Sequence, residues 1–152
     1  MTYQDFVKQG LLKKEEMGPD QINKVIAKAS RNLKSARILI KNNDEQGAFR
    51  FAYDAMLSAG RALVFSYGLR PRSQGSHKIV VDFSERVLGG QCKVAVRKFD
   101  KMRRKRHYLI YGIESDVSKT EGENAIKTAQ DFVEKITKIV QQKSPQKGLW
   151  QD

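Results

Sequence analysis

Few residues in this chain have chemistry to offer. They are two histidines, His77 and His107, one cysteine, Cys92, and a dense run of arginine and lysine between Lys93 and His107. That run holds Lys93, Arg97, Lys98, Lys101, Arg103, Arg104, Lys105 and Arg106 against Asp100 alone, a net +7 of the formal +12 of the whole chain. As a helix turning about 100° per residue, it places Ala95, Phe99, Met102, Leu109 and Ile110 within about 60° of Arg106. Arg106 therefore falls in the middle of the apolar stripe, while Arg97, Arg104 and Tyr108 point the opposite way. A guanidinium in such a stripe has to be paired, reach to an edge, or line a cleft or a subunit interface. Two readings stand: a structural ion pair, or an anion-binding site. The outward cations read as a solvated charged face.

Other chemistries find no support. Two histidines and one cysteine at unrelated spacings make no metal site. There is no phosphate-binding glycine loop, dinucleotide fingerprint or nucleophile elbow, and no cofactor is expected. Arg72 and His77 form an arginine–histidine pair four residues apart from end to end of the gap, as Arg70 does with a longer one, but in a loop. Among 29 lysines and arginines such a match arises readily by chance. His77 is equally a neighbour of a helix cap or part of a polar cleft. A single cysteine excludes an intrachain disulfide and fits a reducing compartment. No run approaches the apolar length of a membrane span, so no membrane partner and a cytoplasmic setting are expected. The basic excess favours phosphate-bearing or acidic partners, and serves solubility as well.

The elements that must position these residues are helical. Residues 1–17 read as an arm whose Phe6, Leu11 and Leu12 dock on the main body. Gly18-Pro19-Asp20 starts a helix, and Ile22, Val25, Ile26, Ala29, Leu33, Ala36, Leu39 and Ile40 give it one apolar stripe before Asn42-Asn43-Asp44 ends it. The next helix runs from Glu45 to Tyr67 and stops at Gly68. Its stripe of Ala48, Phe49, Ala52, Ala55, Met56, Ala59 and Leu63 lets a neighbour approach closely. Phe51, Tyr53 and Phe65 lie off that stripe and call for a second buried face. Leu69 to Ser76 reads as a loop. A short helix with Ile79, Val80, Phe83 and Val87 inside closes at Gly89-Gly90, and the basic helix spans Cys92 to Tyr111. The last helix, from Thr120 to Gln142, opens with two overlapping capping boxes, Ser118 with Glu121 and Thr120 with Glu123. The expected architecture is an all-α, antiparallel up-down bundle of about five helices over residues 18–143, with a disordered tail over 144–152 in which Leu149 and Trp150 are available to dock.

Two stretches carry a family resemblance. AFRFAYDAMLSAGRALVFSYGLRPRSQGSHKIVVDF (Ala48 to Phe83) resembles the second helix of the HEPN domain family, followed by its Gly-Leu-Arg-Pro turn and a Ser-His-Lys start to the third. RRKRHYLIYG (Arg103 to Gly112) resembles the family's fourth-helix motif, and DFVKQGLL and AQDFVEKI fit around them. The resemblance implies a small helical bundle found alone or beside a nucleotidyltransferase, often in toxin–antitoxin settings. Many toxin-like members are metal-independent ribonucleases whose motif is an arginine followed, a turn or so later, by a histidine, with the site completed by a second copy. Arg106 matches the arginine and His107 the polar residue after it, but Tyr111 stands where the histidine belongs. Imidazole titrates near neutral pH and phenol near ~10, so a tyrosine is a poor base for moving the 2′-hydroxyl proton.

These observations lead to an HEPN-like homodimer that binds RNA or a nucleotide without catalysis. Arg103, Arg106, His107, Tyr111, Arg72 and His77 contact the ligand, and Lys101, Arg104 and Lys105 add non-specific attraction. A nucleotidyltransferase or antitoxin is the partner the resemblance implies. One alternative is a dimeric ribonuclease with Arg106, His107 and Tyr111 as its catalytic candidates. The other is a module that binds only an acidic protein.

Overall fold

The computed structural model describes residues 2–73, 76–112 and 116–143. The tail over 144–152 lies outside the described residues. Five long helices make the body: α2 (Pro19–Lys41), α3 (Glu45–Ser66), α4 (His77–Leu88), α5 (Lys93–Ile110) and α6 (Lys119–Lys143), preceded by a short α1 (Tyr3–Lys8). A 3₁₀ turn, Gly89–Cys92, links α4 to α5. The architecture is the expected all-α bundle.

α3 is the central helix. It packs against α2 and α6 along most of its length and against α4 and α5 on its remaining side. Its alanines explain this, since Ala48, Ala52, Ala55, Ala59 and Ala62 are all buried and present little bulk to any neighbour. The second buried face exists: Tyr53 is fully enclosed and Phe65 half-buried, whereas Phe51 stays exposed. Tyr53, Phe99 and Phe132 form a chain of rings across α3, α5 and α6, with centroids 5.8 and 5.2 Å apart. At Gly60 the approach of α4 is closest, because a Cβ there would stand 2.5 Å from Val80 Cγ1.

The arm is more ordered than its sequence suggests. Leu12–Lys14 (β1) pairs antiparallel with Leu69–Pro71 (β2), Leu12 opposite Pro71 and Lys14 opposite Leu69. The expected loop after α3 is thus in part a strand. Three residues per strand are too few to show a period-two pattern, so alternation could not reveal the pair. The ribbon buries Leu12, while Phe6 and Tyr3 meet Phe83 and Tyr67 edge-on. Gly68, at φ 71°, takes the left-handed turn between α3 and β2.

At the start of α6, Ser118 Oγ accepts from the Glu121 amide at 3.1 Å, and the Ser118 amide donates back to Glu121 at 3.3 Å. The helix begins at Lys119, so Thr120 lies inside its first turn and its expected box with Glu123 is not the cap. Lys105 reaches from α5 to the Glu121 carboxylate and to the carbonyl of Asp116, tying the end of α5 to this cap.

Substituting Gly60→Ala should destabilise the fold by about 1–3 kcal/mol, since overpacking against the enclosed Val80 outweighs the gain in helix propensity of roughly 1 kcal/mol. Urea unfolding of the two proteins measures this, and an unchanged or raised midpoint would contradict such a close contact between α3 and α4.

Candidate functional site

Between α3, the start of α4 and the second half of α5 lies a polar cluster in an otherwise apolar bundle. It is built on Tyr53. Burial of the ring requires its hydroxyl to find a partner, and it lies 3.0 Å from His77 Nδ1 at the first position of α4. The two rings sit 5.8 Å apart in a tilted arrangement. Above the phenol, the Arg106 guanidinium lies 5.6 Å from the ring centroid, a cation–π distance. Arg106 Nε is 4.0 Å from an oxygen of Asp54, the residue after Tyr53. That separation is a Coulomb pair rather than a hydrogen bond. The inward position of Arg106 is therefore real: its side chain is 27% exposed, against 63% for Arg104.

The electrostatics follow from burial and crowding of like charge. Burial first, and then the nearby Arg106, Arg61 and Arg103, pull the His77 imidazole down to about 4, so it is neutral at physiological pH. Burial pushes the Tyr53 phenol well above its usual range against the pull of Arg106 and Arg103, and it stays protonated. Two neutral groups thus share the Tyr53–His77 bond. Asp54 is raised by burial, with Arg106, Arg50, Arg61 and Lys28 acting against that rise. Arg61, half-buried on the same helix, is lowered by burial and by Arg106, while Tyr53 and Asp54 act the other way. Several guanidinium groups share the field of one carboxylate, so the cluster suits an anion.

The residues singled out in the sequence divide into separate places. Arg103, Arg106 and His77 come together around Tyr53. The rings of His107 and Tyr111 meet at a 50° tilt, centroids 4.6 Å apart, at the outer end of α5, where Tyr111 is 69% exposed. Arg103 and Arg104 both reach Asp100, at 3.0 and 3.5 Å. Lys101 faces the cleft between α5 and α6, and Lys105 belongs to the α6 cap. Arg72 lines a cleft beside the β-ribbon with Arg61 and Arg70. Sequence reasoning missed Tyr53, Asp54 and Arg61 as parts of the site. The available signal was a polar pair, Asp54 and Arg61, two turns apart on a helix otherwise rich in alanine. Among the described residues, no group of three or more histidine, cysteine or acidic side chains could hold a metal ion. No helix among them is long and apolar enough to cross a membrane.

The sequence model of the HEPN domain matches residues 22–140, from the first turns of α2 almost to the end of α6. The chain belongs to the HEPN domain family. A search of curated proteins finds no match. Within this HEPN fold the fourth long helix, α5, carries Arg106 on its inner side, and Tyr111 lies just past that helix with its ring outside the cluster. The histidine that does approach Arg106 is His77, from the preceding helix.

The depressed imidazole has a thermodynamic consequence. His77 binds its proton more readily in the unfolded chain, so its contribution to stability is complete above the ordinary value of 6.5 and is lost as pH falls toward 4. Thermal unfolding from pH 7 to 4.5 should lower the midpoint more in the wild type than in His77→Gln. The His77 ring resonances in an NMR titration should move with a midpoint near 4, and a midpoint near 6.5 would show that the imidazole is open to solvent.

Proposed function

We propose that this HEPN module binds RNA or a nucleotide through the cationic face formed by α3 and α5, as a homodimer and without catalysis. The observation that carries this reading is Arg106. It is fixed over Tyr53, paired with Asp54 only at 4.0 Å, and makes no side-chain hydrogen bond among the described residues. Its five N–H donors are open to a phosphate, and Arg50, Arg61 and Arg103 add charge to the same field. The exposed His107–Tyr111 pair offers a surface on which a base can stack. Phe51 on α3 and Ile110 at the end of α5 are exposed apolar side chains that suit contact with a second copy. A nucleotidyltransferase or antitoxin partner belongs to this proposal through the family resemblance.

A ribonuclease is the second reading, and one observation favours it: the fold brings an imidazole, His77, beside the arginine of the motif. Its chemistry is poorly matched to the task. A base with a pKa of about 4 has little drive to take a 2′-hydroxyl proton, and its Nδ1 is engaged by Tyr53.

Fluorescence anisotropy with single-stranded RNA should show binding that weakens steeply with salt. Arg106→Ala should lose about tenfold in affinity, and Asp54→Asn should bind several-fold tighter because it removes a competing carboxylate. RNA incubated with wild type, Arg106→Ala, His77→Ala and His107→Ala should stay intact throughout. Cleavage by the wild type that disappears in Arg106→Ala and His77→Ala would replace the binding reading with the enzymatic one, and no binding at low salt would remove both. In sedimentation equilibrium the protein should weigh about twice its 17.4 kDa chain mass; a monomer at all concentrations would exclude the homodimer.

A further inference from the structure

Beside the β-ribbon lies an open cleft of about 510 Å³ whose lining does not include Arg106. Arg61, Arg70 and Arg72 line it, together with Ser73, Ser76 and the single carboxylate of Glu15. Glu15 stands 2.9 Å from Arg70 Nε and neutralises that arginine, although the Nε–H, shielded from solvent, is not aimed at it as a hydrogen bond. Arg61 and Arg72 have no carboxylate within ion-pair distance among the described residues. Ser73 and Ser76 bring their hydroxyls together at 2.6 Å. Ser76 is the N-cap of α4, yet its side chain makes no capping bond, so first-turn amides of this twelve-residue helix remain to be satisfied. Two arginines without ion-pair partners, two hydroxyls and a helix start converge on one cleft of a size that takes a phosphate with its sugar.

We infer that this cleft is a phosphate-monoester site, held by Arg61 and Arg72 with Ser73 and Ser76, which receives the terminal phosphate of an RNA strand or the phosphate of a free nucleotide. It adjoins the Arg106 cluster through Ser76 and His77, consecutive residues, and through Arg61, which stands about 10 Å along α3 from Asp54 at 1.5 Å per residue. The strand arm of the inference rests on the RNA-binding reading above; the phosphate arm does not. The site distinguishes a doubly charged end group from the singly charged diesters of the chain interior.

Binding of a 5′-phosphorylated and a 5′-hydroxyl oligoribonucleotide of the same sequence gives the first test, read as the ratio of the two affinities in each protein. The 5′-phosphate should tighten binding about tenfold in the wild type and in Arg106→Ala, and by nothing in Arg72→Gln. Titration with inorganic phosphate, followed by amide NMR, should shift Ser73, Ser76 and His77 in the wild type and leave them in place in Arg72→Gln. A ratio of one together with no shift on inorganic phosphate overturns the site. A ratio of one with those shifts present assigns it to small phosphate ligands. Loss of binding by both oligonucleotides defeats the RNA reading alone, and the phosphate titration then decides the cleft.

Discussion

A tyrosine hydroxyl cannot be buried without a hydrogen-bond partner, and the polar side of this molecule is organised around that requirement. Tyr53 enters the core because α3 is surrounded by other helices and has no apolar face to spare. Its ring fills space against Phe99, and its hydroxyl must then be met from the start of α4. Meeting it places His77, and the electron-rich face of the same ring accepts the Arg106 guanidinium from α5. Three helices are thereby registered on one side chain. The polar cluster is a by-product of core packing as much as a binding surface, which is why its members are held so firmly.

Charge is unevenly used on this surface. Several of the cations that make the chain basic are engaged locally: Lys105 caps and clamps the start of α6, Arg103 and Arg104 share Asp100, and Lys78 pairs with Asp82. Each of these pairs commits a cation to a neighbouring carboxylate, and so lowers the attraction available for a ligand. The arginines best suited to recognition are the half-buried ones with no carboxylate within hydrogen-bond distance among the described residues, Arg106 and Arg61. Fewer conformations are then lost when a phosphate arrives.

Much of this was legible in the sequence. Helical periodicity located all five long helices to within a residue or two, because each had an apolar stripe and most ends were marked by turn or cap residues such as Gly18-Pro19, Asp44, Gly68 and Ser118. The wheel around Arg106 also anticipated its inward placement, since the orientation of a side chain on a helix follows from spacing alone. Tyr53, Asp54 and His77 were not legible as partners. Their association depends on how far α4 slides along α3, which Gly60 and Val80 decide by packing, and no periodicity within either helix encodes that register. The β-ribbon escaped for a related reason: six residues separated by 54 positions pair only once the helices between them have folded.

That ribbon gives the N-terminal arm more than a structural part. The family match begins at residue 22, yet Glu15 and Met17 form a wall of the arginine cleft, and Phe6 and Tyr3 meet the rings of Phe83 and Tyr67. A chain trimmed to the matched span would keep all five long helices almost whole while losing the strand that holds Arg70 and its neighbours in register. The matched span and the cleft thus have different supports: residues 22–140 supply Arg106, and the arm that precedes them shapes the cleft beside it.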